Sequence, residues 1–246
     1  MRDFPRASNV FTGDNMLTIR RSEERGHANH GWLDSRFSFS FDRYYDEAHM
    51  GFRALRVINE DHIAAGMGFG KHPHRDMEIL TYVLEGAIAH EDSTGASETL
   101  TPGELQHMSA GSGVRHSEMN PSQTEECHLL QIWLLPNELG IAPKYEQKRF
   151  AVTTEPNKMH LLAAKDGRDG AFKIYSDAEL LAAKLDAGAG VTHALRGKYG
   201  WVQVARGEVT VNGTVLQQGD AVAISDEKTV SIGSDKGGEV LLFDLD

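Results

Sequence analysis

The sequence predicts an all-β protein built from two related halves. Three observations carry this. Short β-type runs are closed by turn residues, helix-period stretches are scarce in a chain with 25 glycines, and the second half repeats the first in degenerate form. In chain order, Leu55 to Ile58 ends at Asn59-Glu60-Asp61, and Ile79 to Leu84 ends at Glu85-Gly86. Ala87 to His90 runs into the polar turn Asp92 to Gly95, Thr99 to Thr101 meets Pro102-Gly103, and Leu129 to Leu135 stops at Pro136. Residues 137–157, spaced by Pro143 and Pro156, read as a connector between a unit over 1–136 and a unit over 158–246. Ser176 to Glu179 has the S-x-x-E form of a helix capping box, which predicts a short helix or turn over Leu180 to Leu185. Strand signals resume with Trp201 to Val204, Glu208 to Val211, Ala221 to Ile224, Thr229 to Ile232 and Val240 to Phe243.

The repeat is visible residue by residue. Tyr82-Val83-Leu84-Glu85-Gly86-Ala87-Ile88 aligns with Gln203-Val204-Ala205-Arg206-Gly207-Glu208-Val209, and Pro102-Gly103-Glu104 with Gln218-Gly219-Asp220.

Composition narrows the functional classes. A formal net charge of −11, from 36 acidic against 25 basic residues, disfavours nucleic acid and anionic membrane surfaces as partners. Arg20, Arg21 and Arg25 alternate with Glu23 and Glu24 and read as a solvated polar turn, not a basic arm. A single cysteine, Cys127, excludes an intrachain disulfide and reads as a small buried hydrophobe. With no signal-like N-terminus and no spanning apolar segment, the expectation is a cytoplasmic, soluble protein; closed barrels leave few sheet edges, which predicts a monomer.

Chemistry is concentrated in two triplets, His72-Pro73-His74 and His116-Ser117-Glu118. On extended backbone, side chains two apart share a face, so each triplet presents two ligand-type groups together. A lone H-x-H is ordinarily a polar strand face. Here it follows the glycine-rich run Gly66 to Gly70, and a second pair of the same kind follows a Gly-Ser-Gly turn. Three imidazoles and one carboxylate suit iron, copper, nickel or zinc better than magnesium. Glu78, four residues after His74, could be a further ligand, a carboxylate that orients a ligand imidazole, or a structural charge. The aligned second half has His193 but places Leu195 and Ile232 opposite the other ligands, which predicts a structural barrel without metal. His27, His30, His49, His62, His90, His107, His128 and His160 lack a spaced partner and are assigned surface or core roles.

These residues resemble the pirin family of the cupin superfamily. The resemblance runs through Gly31-Trp32-Leu33-Asp34-Ser35-Arg36, Met50-Gly51-Phe52-Arg53, His72 to Glu78, Tyr82 to Gly86, Met108-Ser109-Ala110-Gly111 and His116-Ser117-Glu118. Gln131-Ile132-Trp133 and the Pro143 to Phe150 segment look like bacterial pirins of the quercetinase-like type, while the last ninety or so residues match only loosely. The resemblance implies a bicupin of two double-stranded β-helix (jelly-roll) barrels with metal in the first only, held by His72, His74, His116 and Glu118, with Glu78 left outside the set. It implies iron(II) as the first expectation for one divalent metal per chain, with nickel, copper, manganese, cobalt and zinc as alternatives. It also implies a dioxygenase of the quercetin 2,3-dioxygenase type, acting on a small aromatic substrate and dioxygen with release of carbon monoxide. The alternative it carries is a non-enzymatic, redox-sensing iron protein that regulates a protein partner. Glu118 is expected to take the proton of the substrate's 3-hydroxyl, and Phe69, Met77 and Met119 to wall the substrate pocket.

Overall fold

In the computed structural model, which describes residues 17–246, alternating side chains along each strand determine what the sheets cover. Residues 1–16 of the expected first unit lie outside the described residues. Among the described residues the fold is strands and turns, with two 3₁₀ turns at Ser22–Glu24 and Arg168–Gly170, and no helix long and apolar enough to cross a membrane. The strands form two β-barrels, one in each half of the chain, as expected of a bicupin.

The first barrel faces a seven-stranded sheet against a four-stranded one. In the larger sheet Leu55–Ile63, Glu78–Glu85 and Cys127–Leu134 are central neighbours, with Glu104–Ser109 and Leu33–Phe37 outside them. Both faces are buried, which is why Ile79 to Leu84 is apolar at every position but Thr81. Ile58, Leu80, Tyr82, Leu130 and Ile132 point outward and share a core with Leu180, Ala182, Trp201 and Phe243 of the second half. Their neighbours point into the barrel, where Leu33, Ile63, Val83 and Leu129 form one apolar layer and Met77, Ile79, Met108 and Val114 another. Between these layers runs a polar row in register, Asn59, Gln131, Thr81 and Gln106, one residue from each of four strands.

The repeat has an exact backbone counterpart in two glycines. Gly86 has φ +71 and a Cβ there would lie 2.4 Å from Glu126 O; Gly207 has φ +72 and would meet Gly237 O at 2.4 Å. Both halves therefore need glycine for the same two reasons, a left-handed turn and a strand packed against it.

Four expectations are corrected. Ala178–Leu185 is a strand, paired along its length with Gly238–Leu245 and buried on both faces. Its S-x-x-E signature does other work: Ser176 Oγ donates to Leu135 O, and Glu179 receives Arg168 and Arg196. The expected connector contains the strand Lys144–Arg149, which extends the first barrel's sheet beside Glu104–Ser109. Trp201 to Val204 and Glu208 to Val211 are one strand, Tyr199–Val211. Finally, Arg20 and Arg25 are buried; Arg25 lies 2.5 Å from Glu60, Arg21 lies 2.7 Å from Asp220, and Leu17–Arg20 pairs with Ala221–Ser225. That segment ties the two halves together instead of lying in solvent.

Candidate metal centre and its cavity

The two triplets lie on adjacent antiparallel strands of the smaller sheet, Gly68–His74 and Val114–Met119, with His116 directly opposite His72. A register shift between His116 and Glu118 marks a bulge at this point, a common device for re-aiming side chains beside a site. Gly68 permits the close approach, since a Cβ there would lie 2.2 Å from Glu118 O. The rings of His72, His74 and His116 lie 4.4 to 4.8 Å apart between centroids. One ligand atom from each falls within 4.8 Å of the others, and Glu118 forms a second such group with His116 and His90.

The donor set fits a metal ion. His72 Nδ1 is 2.8 Å from Gly70 O and so carries its proton there, which leaves Nε2 with a free lone pair. His116 Nε2 is shut off from water with no partner among the described residues, the state expected of a ligand atom facing a metal position. Burial, and the neighbouring His72, lower the pKa of His74 to about 4; the same causes take His116 to about 2. Both rings are therefore neutral and able to ligate at physiological pH.

Glu118 is fully enclosed, and burial pushes its pKa above the ordinary carboxylate value. It is held from behind by the polar row. Gln106 Nε2 donates to Thr81 Oγ1 at 3.2 Å, Thr81 Oγ1 donates to Gln131 Oε1 at 2.8 Å, and Gln131 Nε2 donates to Glu118 Oε2 at 3.0 Å. Every hydrogen in this chain points toward the carboxylate. His90, assigned a structural role from sequence, sits behind His116: its Nε2 is 3.0 Å from Asp92 Oδ2 and its Nδ1 is 3.4 Å from His116 Nδ1. The signal was present as His90-x-Asp92, the same two-residue spacing as the ligand triplets.

A cavity of about 270 Å³ opens in front of the set, reaching His72, His74 and Glu118. Its walls are aromatic: Trp32 and Phe69 meet edge to face at 5.4 Å, Phe41 and Trp133 at 5.3 Å, and Trp133 also packs on His74. Of the three expected wall residues only Phe69 lines it. Met77 is buried in the barrel's apolar layer, and Met119, 38% exposed, points to the other face of its strand from Glu118. Glu78 is also displaced from the site. The turn at Arg75 to Met77, with Asp76 at φ 47, breaks the two-residue alternation, so Glu78 points away from the ligands to His107 Nε2 at 2.7 Å and Tyr175 N at 3.2 Å. The cavity floor holds Asp61, whose carboxyl burial and the nearby Glu118 push up to about 7.

Two other clusters lack these properties. Glu60, His62 and His128 come together, but Arg25 already compensates Glu60, and His62 turns to Glu126 at 2.7 Å. In the second barrel His193 bonds Asp244 at 3.0 Å, opposite Val230, and no His, Cys, Asp and Glu group of metal-binding type occurs there among the described residues. Cys127 is fully buried, which pushes its thiol up to about 12 and leaves it inert.

The chain is similar to known proteins over nearly its whole length. The pirin family profile matches residues 18–134, and that of the quercetinase C-terminal cupin domain matches residues 161–245. The chain is 52% identical over 231 residues to the quercetin 2,3-dioxygenase of Escherichia coli strain K12, covering 94% of this chain and 99% of the relative. It is 41% identical over 231 residues to a pirin-like protein of Caulobacter vibrioides, covering 93% and 99%. Among solved structures, the bacterial pirin YhhW from Escherichia coli in complex with nickel(II) superposes with a TM-score of 0.88 at 53% identity, covering 93% and 98% of the two chains. A quercetin 2,3-dioxygenase from Acinetobacter baumannii, at 22% identity and TM-score 0.70 over 89% and 82%, shares the fold.

Proposed function

Because this chain belongs to the pirin family, we propose that it is a metal-dependent dioxygenase that cleaves a flavonol with release of carbon monoxide. The observation that supports the reading is the clustering of His72, His74 and His116, with Glu118 grouped with His116, beside a cavity with aromatic walls that reaches His72, His74 and Glu118, and with Nε2 free on His72 and unpartnered on His116. These four side chains are the proposed ligands of one divalent transition metal per chain. Iron(II) is the proposed native ion, and nickel(II) is the ion named for the Escherichia coli relative. The first barrel, including the strand Lys144–Arg149, is the proposed catalytic unit and the second a structural one.

When bound, the metal supplies a Lewis-acid centre that favours the ionised form of a substrate hydroxyl. The remaining work falls to the chain's own residues. The flat substrate is held between the aromatic walls, which exclude bulk water from the reacting carbons. Glu118 takes the proton of the 3-hydroxyl. Gln131 donates to Oε2, which leaves Oε1, 3.5 Å from Thr81 Oγ1, as the atom that receives it. The resulting electron-rich anion reacts with dioxygen at C2 and C4. The C2–C3 and C3–C4 bonds break, C3 leaves as carbon monoxide with its own oxygen, and the product is a depside.

The test is reconstitution. Apo-protein loaded with iron, nickel, copper, manganese or cobalt is mixed with flavonol, and absorbance, oxygen uptake and carbon monoxide are followed. The proposal expects coupled loss of flavonol and oxygen with at least one metal; metal binding without turnover for all of them would overturn it.

A further inference from the structure

The strand Leu55–Ile63 contributes two polar side chains, Asn59 and Asp61, both 3% exposed, to a cavity whose largest walls are aromatic and whose other uncharged or acidic polar lining is Ser35, Asp42, Gln131 and Glu118. They are two residues apart and so face the same way, into the barrel. Their surroundings differ from those of the rest of the polar row. Gln131, the cross-strand neighbour of Asn59, is spent on Thr81 and Glu118. Ser35, the neighbour of Asp61, donates to Oδ1 at 2.5 Å. Asn59 itself makes no side-chain hydrogen bond to the described residues, and its Oδ1 has no donor. Phe37, on its other side, can offer none.

Native structures pair nearly all buried amides, because one removed from water without a partner destabilises the fold. An uncommitted amide on a cavity wall, beside a carboxyl bonded by a single hydroxyl, therefore points to a ligand that brings its own hydrogen-bonding groups. Trp133 Nε1, also on the cavity wall, lacks an acceptor among the described residues and offers a donor on the same ligand path.

We propose that Asn59 and Asp61 form a hydroxyl-reading floor that selects planar aromatics carrying ring hydroxyls beyond the one Glu118 deprotonates. The inference rests on the dioxygenase reading for the placement of the substrate, and it adds the residues that choose among substrates. Phenolic hydroxyls donate to Asn59 Oδ1 and to the free oxygen of Asp61, while the unsubstituted analogue leaves both unpaired. A site built to bond a hydroxyl rejects the analogue lacking it strongly, so the discrimination expected is about tenfold or more.

The test uses the full chain, apo and metal-loaded, with 3-hydroxyflavone and quercetin as probes. Binding is read from quenching of the tryptophan fluorescence, since Trp32 and Trp133 line the cavity. Wild type should bind quercetin about tenfold more tightly than 3-hydroxyflavone. Asn59→Leu and Asp61→Asn, the latter keeping an acceptor for Ser35, should each shrink that ratio, and together bring it within about threefold, through weaker quercetin binding. In the metal-loaded protein KM for quercetin should rise more than KM for 3-hydroxyflavone, with metal content little altered. Asn59→Ser is measured alongside as the smaller change and should shrink the ratio as well. A ratio that persists in folded, metal-binding variants would overturn the proposal, as would a wild type with no preference. The two readings fail separately. A quenching preference that depends on Asn59, without any turnover, would remove the dioxygenase reading and leave the hydroxyl-reading floor standing.

Discussion

Replacing His90 with leucine should weaken metal binding although His90 is not a proposed ligand. His90 is buried and stacks on Tyr145 at 4.4 Å. Its Nε2 proton goes to Asp92 Oδ2, so its Nδ1 is the acceptor and His116 Nδ1 the donor. That arrangement keeps the His116 proton on Nδ1 and the lone pair on Nε2, toward His72 and His74. Leucine removes the acceptor and releases the ring to take the other tautomer. Losing such a partner costs about 10- to 100-fold in metal affinity. The contact is long, 3.4 Å, which places the expectation near about tenfold, or about 1.4 kcal/mol. The surrounding turn should survive, because Asp92 Oδ1 keeps Thr94 and Ala96. His90→Asn, whose Oδ1 can take the place of Nδ1, should stay within about threefold of wild type. The assay is titration of nickel(II) into apo-protein against a competing chelator, with an unfolding curve for each variant. A folded His90→Leu protein within twofold of wild type, or an asparagine variant as weak as the leucine one, would refute the reasoning.

Glu118→Gln should keep part of the metal affinity and lower kcat by about 10²- to 10⁴-fold, measured as carbon monoxide release; unchanged turnover would mean that another base operates. Asp61→Asn should stabilise the apo-protein in a pH-dependent way. The folded pKa, about 7, lies above the unfolded value of 3.8, so the wild-type stability linked to this group is intact below pH 4 and is lost as pH rises through 7. The variant should therefore match wild type near pH 4 and exceed it at pH 8 by about 2 to 4 kcal/mol, read from urea midpoints. Trp201→Ala should cost about 3 to 5 kcal/mol, because Trp201 is fully buried where the halves meet, 4.9 Å from Phe39 by ring centroid. Both barrels should still unfold in one calorimetric transition, and two separate transitions would contradict the shared core.

What could be read from sequence follows from how locally each feature is encoded. His and Glu side chains two apart on a strand are a local pattern, so the pairing of the two triplets on neighbouring strands was legible, as were Gly86 and Gly207. The cavity wall was not. Trp32, Phe41 and Trp133 come from separate segments that only sheet register brings together, whereas Met77 and Met119 were chosen for being near the ligands along the chain. Glu78 was misplaced for a related reason, since two-residue alternation does not carry through a turn with a left-handed residue at Asp76. Leu180 to Leu185 read as helix because a strand buried on both faces has no polar alternation to betray it.

The most direct measurement is turnover of a flavonol under ¹⁸O₂ by the metal-loaded protein. Because C3 leaves with its own oxygen, the account predicts that both labelled atoms enter the depside and that the carbon monoxide carries none, with one carbon monoxide formed for each dioxygen consumed. Dioxygen uptake without carbon monoxide, or label in the carbon monoxide, would contradict it.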